Sequence, residues 1–357
     1  MTGQSTLTMN WVSELRQDCL KASSYQPEAR NHLAQSRIAV TGGTGFLGTW
    51  IAEMVAALND EYQLNISLDL YARNTIDWTK KWPHLSMRTD IKVFSQDIRS
   101  PFQFEANTNF VIHAAGVPNN RVHASDPLRV AQTTIEGINN TLDASSKLNK
   151  LSRFINVSSC LVNGVPNSPE GLKEENSFPT PAGQLHSIYA DAKRSAESIA
   201  AIYRSQFRMP ICTIRPFTFT GPYQTLNRPW TINTFLVDAL TKRDIRIHGD
   251  GSTRRSYLYG SDAAWWTLAA LINGSDGKVY NLGSSIAISH MELANLISAK
   301  NSPRPNIIIN TMPSNHRQHH DLYPNINFTQ DELRVIQTCN LEQAIDKTWR
   351  WFSLPKP

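Results

Sequence analysis

The sequence predicts an α/β fold, a doubly wound parallel sheet with a smaller C-terminal α/β lobe. Three observations predict it. Short apolar runs alternate with helical stretches from Arg37 onward. The first such run leads straight into a glycine-rich turn. The 357-residue length suggests two units, at roughly 100–200 residues each.

Residues 1–35 read as a helical extension. Trp11, Val12, Leu15, Cys19 and Leu20 fall at helical spacing ahead of Pro27. The expected strands are Ile38–Val40, Ile66–Tyr71, Ile91–Phe94, Phe110–His113, Phe154–Val157 and Ile211–Ile214. Helical segments lie between them, among them Thr49–Leu58 and Ala190–Phe207. Such alternation predicts a parallel sheet covered on both faces. Residues 301–324, rich in Pro, Asn and His, read as loop and strand before a last helix over Leu341–Phe352.

Apolar residues make up 40% of the chain and charged residues 18%, enough for a large core. The longest strongly apolar run, Ala263–Ile272, is too short for a membrane span of about 20 residues and reads as a core helix. The N-terminus lacks the basic and apolar blocks of a signal peptide. Cys19, Cys160, Cys212 and Cys339 are scattered, with no C-x-x-C pair, which suits free thiols in a cytoplasmic protein. Net charge is +5 with no basic run, which fits a small anionic substrate better than nucleic acid.

Strand Ile38–Val40 enters Thr41-Gly42-Gly43-Thr44-Gly45-Phe46-Leu47-Gly48, and a helix comes directly after. This is the dinucleotide-binding context of a Rossmann sheet. Gly42 permits the tight turn, Gly45 lets the backbone approach a pyrophosphate, and Gly48 lets the helix pack on the strand. The N–H groups of Thr44, Phe46 and Leu47 would face the anion. Cofactor choice falls at the end of the second strand. No acid stands at that tip, where Arg73 and Asn74 come after Ala72, and Asp69 points elsewhere. Arg73 is a candidate clamp for the phosphate of NADP, so NADP is favoured over NAD. Asp97 and Ile98 are expected at the adenine edge. Ala114, Ala115 and Gly116 come after the fourth strand, small enough for the dinucleotide to touch the backbone.

Strand Phe154–Val157 delivers Ser158, Ser159 and Cys160, and a later helix carries Tyr189 and Lys193 at i and i+4. A free phenol is a poor base at neutral pH. A nearby ammonium and a cationic nicotinamide favour the phenolate, which could exchange a proton with a sugar hydroxyl. Ser159 would hold the same oxygen, and Lys193 the nicotinamide ribose.

Together these residues resemble the extended short-chain dehydrogenase/reductase family, the nucleotide-sugar epimerases and dehydratases, over about Arg37 to Phe352. Arg215-Pro216-Phe217-Thr218-Phe219-Thr220-Gly221-Pro222 is similar to the family's Arg-Pro-x-Asn-x-x-Gly-Pro turn near the nicotinamide, with Thr218 in place of Asn. Gly249 to Tyr259 resembles the substrate-lobe motif, with Arg255 matching the arginine that grips the nucleotide diphosphate. Tyr280-Asn281-Leu282-Gly283 is similar to the family's strand entering the last lobe. The resemblance implies an NAD(P)-binding domain over 36–222 with a returning segment near 255–282. It implies a nucleotide-sugar lobe over 223–254 and 283–357. It also implies a homodimer through the Tyr189 helix, where Ala190, Ala192, Ala196, Ala200 and Ala201 would permit close packing, or would instead pack the helix on its own sheet.

Departures from the pattern set further expectations. The family's 4,6-dehydratases carry Asp-Glu after the catalytic hydroxyl residue, and its decarboxylases keep the glutamate. Here Cys160 and Leu161 stand there, so both reactions are expected to be absent. Asn163 replaces the Tyr of a Tyr-Gly pair. The chemistry left to Ser159, Tyr189 and Lys193 is that of a nucleotide-sugar 4-epimerase. An NADPH-dependent 4-ketosugar reductase is the alternative, and a non-catalytic dinucleotide sensor is a third reading. The Ser-Ser-Cys triplet also resembles that of GDP-fucose synthases, which makes Cys160 a candidate proton carrier, against a plain packing role. The run His316-Arg317-Gln318-His319-His320 reads as a polar loop, with no metal expected.

Overall fold

The computed structural model describes residues 2–164, 170–178, 181, 183–310 and 321–353, with side chains from Trp11 onward. Its strands are β1 (Arg37–Thr41), β2 (Ser67–Ala72), β3 (Ile91–Ser95), β4 (Phe110–His113), β5 (Arg153–Val157), β6 (Ile211–Pro216), β7 (Thr218–Thr220), β8 (Ile245–His248), β9 (Arg254–Arg255), β10 (Tyr257–Tyr259), β11 (Val279–Leu282), β12 (Ile288–Ser289) and β13 (Ile307–Asn310).

Seven of these form one parallel sheet in the order β11-β6-β5-β4-β1-β2-β3. The six strands expected from sequence are all in it. The chain winds outward from β1 to β3, then restarts at β4 on the other side of β1. That reversal opens a crevice beyond the C-terminal ends of β1 and β4, where such sheets bind ligands. The strand Val279–Leu282, at the end of the segment near 255–282 expected to return to this domain, pairs with β6 and completes the edge of the main sheet.

The sheet reads as near-continuous apolar runs because both faces are covered. On one face lie the helices Phe46–Tyr62 and Gly260–Asn273, with Trp50, Trp265 and Trp266 fully buried. On the other lie Pro127–Ser146 and Ile188–Phe207, packed side by side over Val111, Phe154 and Ile211. Ala196 and Ala200 are buried against this face, so those two alanines pack the helix on its own sheet, and Ala192 is buried as well.

The extension folds as the helix Thr2–Ser23, and Leu15, Cys19 and Ala22 join the main core. Ion pairs Arg16–Asp60, Lys347–Asp18 and Arg350–Glu14 tie it to the phosphate-loop helix and to the last helix, Leu341–Ser353. The smaller lobe has its own core around Phe235, Leu236, Ile247 and Leu293, built by the parallel pair β8–β13 and the helices Thr231–Leu240 and His290–Ser298. The four cysteines are free and buried. Among the described residues no helix is long and apolar enough to cross a membrane, and no group of three His, Cys, Asp or Glu could hold a metal ion. The run from His316 to His320 lies outside the described residues.

Candidate active site

A cleft of about 880 Å³ runs from the C-terminal ends of β1, β2 and β4 to the smaller lobe. Its first wall is the glycine turn. Gly42 has φ +71°, and a Cβ there would come within 2.7 Å of the Ala115 backbone. A Cβ on Gly48 would come within 2.3 Å of the Gly43 carbonyl oxygen. The turn therefore closes only without side chains at these positions. Gly45 caps the helix Phe46–Tyr62, and no side chain bonds its first N–H groups. The helix thus presents open donors and its positive dipole end to the cleft. Thr44, Gly45, Phe46 and Leu47 line this end, with Ala114, Ala115 and Gly116 opposite. This cradle fits the pyrophosphate of a dinucleotide.

Arg73 and Asn74 stand at the tip of β2, exposed and in the cleft wall. Asn74 donates to Asp77 at 2.7 Å. Asp69 is held by Arg37 at 2.8 Å, away from the tip. Ile98 and Gln96 line the cleft, but Asp97 does not. Its carboxylate turns to Arg99 at 2.6 Å, and that guanidinium holds it down to about 2.

Ser159, Cys160, Tyr189 and Lys193 meet deeper in the cleft, all buried. Ser159 ends the chain's run out of β5. Its hydroxyl accepts from the Leu161 N–H at 3.2 Å, and it stands close enough to the phenol of Tyr189 to favour the phenolate. Lys193 donates from Nζ to the Val157 carbonyl at 2.7 Å, and a Cβ on Gly116 would lie 3.7 Å from that Nζ. Burial lowers Lys193 to about 8.

The Tyr189 electrostatics differ from the sequence reading. Burial pushes the phenol well above its usual value, and the Cys160 sulfur adds to the rise. The Ser159 hydrogen bond and the charge of Arg228 pull the other way and do not offset it. The protein alone therefore keeps Tyr189 as a phenol, and the cation whose charge reaches it is Arg228. Cys160 is also pushed up, to about 12, by burial, against the lowering charge of Arg255. A thiol so placed stays protonated, the reverse of what a proton-carrying thiolate needs.

Pro216 and Thr218 line the cleft beside Phe217 and Phe219. Arg255 reaches it from the short β9, its Nη1 donating to the Arg254 carbonyl at 2.8 Å. Asn163 has a structural role. It accepts from Arg215 at 3.0 Å and donates to the Lys173 carbonyl, while Arg215 also pairs with Glu197 at 2.7 Å.

Sequence reasoning missed His123, Gln224, Arg228 and Trp230, all in the cleft wall. No periodicity marks them. A cue existed for Arg228 alone, a lone Arg shortly after the Gly221-Pro222 turn. Among the described lining residues, Arg73, Lys193, Arg228 and Arg255 bring positive charge, and no Asp or Glu contributes. Such a cleft concentrates an anionic ligand.

Comparison with known proteins agrees with this geometry. The profile of the NAD dependent epimerase/dehydratase family matches residues 38–283. The UDP-glucuronic acid decarboxylase 1 of Arabidopsis thaliana is 24% identical over 312 residues, 87% of this chain and 68% of that protein. A trifunctional UDP-glucose 4,6-dehydratase/3,5-epimerase/reductase of the same plant is 25% identical over 330 residues, 88% of this chain and 47% of that protein. Among solved structures, the UDP-glucuronic acid 4-epimerase of Bacillus cereus, in complex with UDP-glucuronic acid and NAD, has a TM-score of 0.74 at 21% identity, covering 88% of this chain and 98% of that one. These relatives overturn one expectation. Decarboxylation and dehydration cannot be set aside on the strength of Cys160 and Leu161, since a decarboxylase and a 4,6-dehydratase are among the proteins this chain resembles in sequence.

Proposed function

The chain belongs to the NAD-dependent epimerase/dehydratase family, and from that premise we propose that it oxidises the C4 hydroxyl of a nucleotide-diphosphate sugar and restores it in the opposite configuration. One observation carries this reading: Ser159, Tyr189 and Lys193 meet in a cleft whose described lining has four cations and no carboxylate. The glycine turn would hold the dinucleotide pyrophosphate, Arg73 and Asn74 its adenosine ribose, and Lys193 its other ribose. A bound nicotinamide supplies a reversible hydride acceptor and a positive charge. That charge would add to that of Arg228 and oppose the burial that keeps Tyr189 protonated. Tyr189 then takes the C4 hydroxyl proton, Ser159 holds the oxygen, and the same phenol returns the proton when the ketone is reduced. Arg255 faces the diphosphate, which suits a forked guanidinium.

Arg73 at the tip of β2, a strand that carries no acid of its own there, supports NADP, although Asp97 after β3 feels its charge. The Bacillus cereus neighbour carries NAD, and the glycine turn suits either. The homodimer is part of the proposal too. Leu128, Ile202 and Phe207 are exposed on the paired helices that would form its interface.

A second reading is decarboxylation of a nucleotide uronic acid. Arg228 favours it: a half-buried guanidinium beside Tyr189 whose hydrogen bond to the Pro118 carbonyl is long, at 3.4 Å. A carboxylate on the sugar would complete it. The deciding experiment incubates the protein with UDP-glucose or UDP-glucuronic acid and either dinucleotide, and resolves the products by chromatography and mass spectrometry. An isomer of unchanged mass supports epimerisation, and loss of the mass of CO₂ supports decarboxylation. No product from any nucleotide sugar, with Tyr189→Phe indistinguishable from the parent protein, would sink both.

A further inference from the structure

His123 sits on the short helix Asn120–Ser125, just past the turn after β4. Its imidazole stacks on the phenol of Tyr189, with ring centroids 4.5 Å apart and planes 14° from parallel. Its Nε2 lies 2.6 Å from the Val117 carbonyl oxygen. A carbonyl only accepts, so Nε2 carries a proton. Burial disfavours a second proton on Nδ1, so the ring is neutral. The imidazole is therefore fixed in one tautomer and one plane.

Tyr189 needs such a support. Its ring packs with Val117, Val130 and Val122, which are apolar and branched. Ser159 stands near the hydroxyl end of the ring and favours the phenolate. A flat face against the ring constrains its plane, and His123 is the flat group stacked on it. Proton transfer requires heavy atoms held within hydrogen-bond reach, so a ring free to swing spends less time in register.

We propose that His123 is a positioning residue for Tyr189: tied to the Val117 carbonyl, it holds the phenol plane so that the hydroxyl stays within reach of Ser159 and of the substrate oxygen. The proposal rests on the acid/base reading of Tyr189 given above.

The test compares His123→Ala, His123→Gln and His123→Phe in the full chain, with thermal melting as the folding control. With UDP-glucuronic acid or UDP-glucose as probe, His123→Ala and His123→Gln are expected to lose about tenfold or more in kcat with KM within about twofold. His123→Phe keeps a flat ring and is expected to stay within about threefold of the parent kcat. A second readout needs no turnover. In protein carrying ¹³C-tyrosine, the Tyr189 ring signal, identified by its loss in Tyr189→Phe, is shifted by the stacked ring. His123→Ala and His123→Gln should release that shift, and His123→Phe should keep it. An unmoved signal in His123→Ala overturns the stack. A moved signal with unchanged kcat overturns the positioning role. Equal loss of kcat in all three variants points to the hydrogen bond rather than the ring, and also overturns it. If the parent turns over no nucleotide sugar, the acid/base reading falls, and the positioning role falls with it even where the signal moves.

Discussion

The ammonium of Lys193 donates to the Val157 carbonyl at 2.7 Å, at the end of β5 and just ahead of Ser159. This places a charge on a residue that is only 3% exposed to solvent. Burial lowers it from the usual 10.5 to about 8. Between those values the unfolded chain binds more protons than the folded one, so stability rises with pH across that window. Below pH 8 the cost is complete, on the order of 3 kcal/mol. Lys193→Met removes the charge and leaves the Val157 carbonyl unpaired, which costs about 1–3 kcal/mol at every pH. The offset between the two proteins is therefore mixed, but its slope is not. Urea unfolding should show the parent gaining on Lys193→Met as pH rises from 8 toward 10. A constant difference would contradict a buried ammonium.

Cys160 gives a prediction of the opposite kind. Its thiol is buried and pushed up to about 12, so little thiolate exists at neutral pH. Iodoacetamide at pH 8 should leave it unmodified over times that label an exposed cysteine. Cys160→Ser keeps the shape and should retain turnover within about threefold, as expected of a packing residue. Rapid alkylation, or a collapse of kcat in Cys160→Ser, would return it to the chemistry.

Much of the fold is legible in the sequence because its signals are local. Strand ends, the glycine turn and the Tyr189–Lys193 spacing depend on neighbours in sequence, and each appears where expected. The edge strand Val279–Leu282 is not legible in this way, because its partner, β6, lies far away in the chain. The same limit hides the electrostatics of Tyr189. An i, i+4 pair says which residues share a helix face, but not that the lysine would be engaged by Val157 or that a loop would bring the charge of Arg228 to bear on the phenol. His123 is invisible for the same reason, since stacking across two helices leaves no spacing to read. Asp97 has the right position after β3, but Arg99, two residues on, draws its carboxylate away.

Arg73 supplies a test of cofactor choice. It stands exposed at the tip of β2 and in the cleft wall, and the nearest acid of that strand, Asp69, is committed to Arg37. A phosphate on the adenosine ribose would pair with the guanidinium, whereas a bare ribose gains little from it. Arg73→Ala should weaken NADPH binding about tenfold and leave NADH within about twofold, since one exposed charge-assisted contact is worth roughly 1–2 kcal/mol. Fluorescence titration with each reduced dinucleotide measures this. Equal loss for both would mean that Arg73 supports the site's shape and does not read the phosphate.

Arg228 separates charged from neutral sugars. Burial lowers it from the usual arginine value, and Tyr189 is the group that raises it. Its guanidinium also lies over the Trp230 ring at 5.3 Å, which fixes the fork in place. This cation acts on the reacting hydroxyl, while the diphosphate is assigned to Arg255. An anion that reaches it would therefore sit on the sugar itself. A carboxylate that lost this partner would forfeit roughly 2–4 kcal/mol, or about 30- to 1,000-fold. Arg228→Gln should raise KM for UDP-glucuronic acid by such a factor and leave UDP-glucose nearly unchanged. Because Arg228 also favours the Tyr189 phenolate, kcat should fall for both sugars, and the rise of kcat with pH should move to higher pH. Equal KM effects on the two sugars would assign Arg228 to the phenol alone and remove the reason for reading the substrate as a uronic acid.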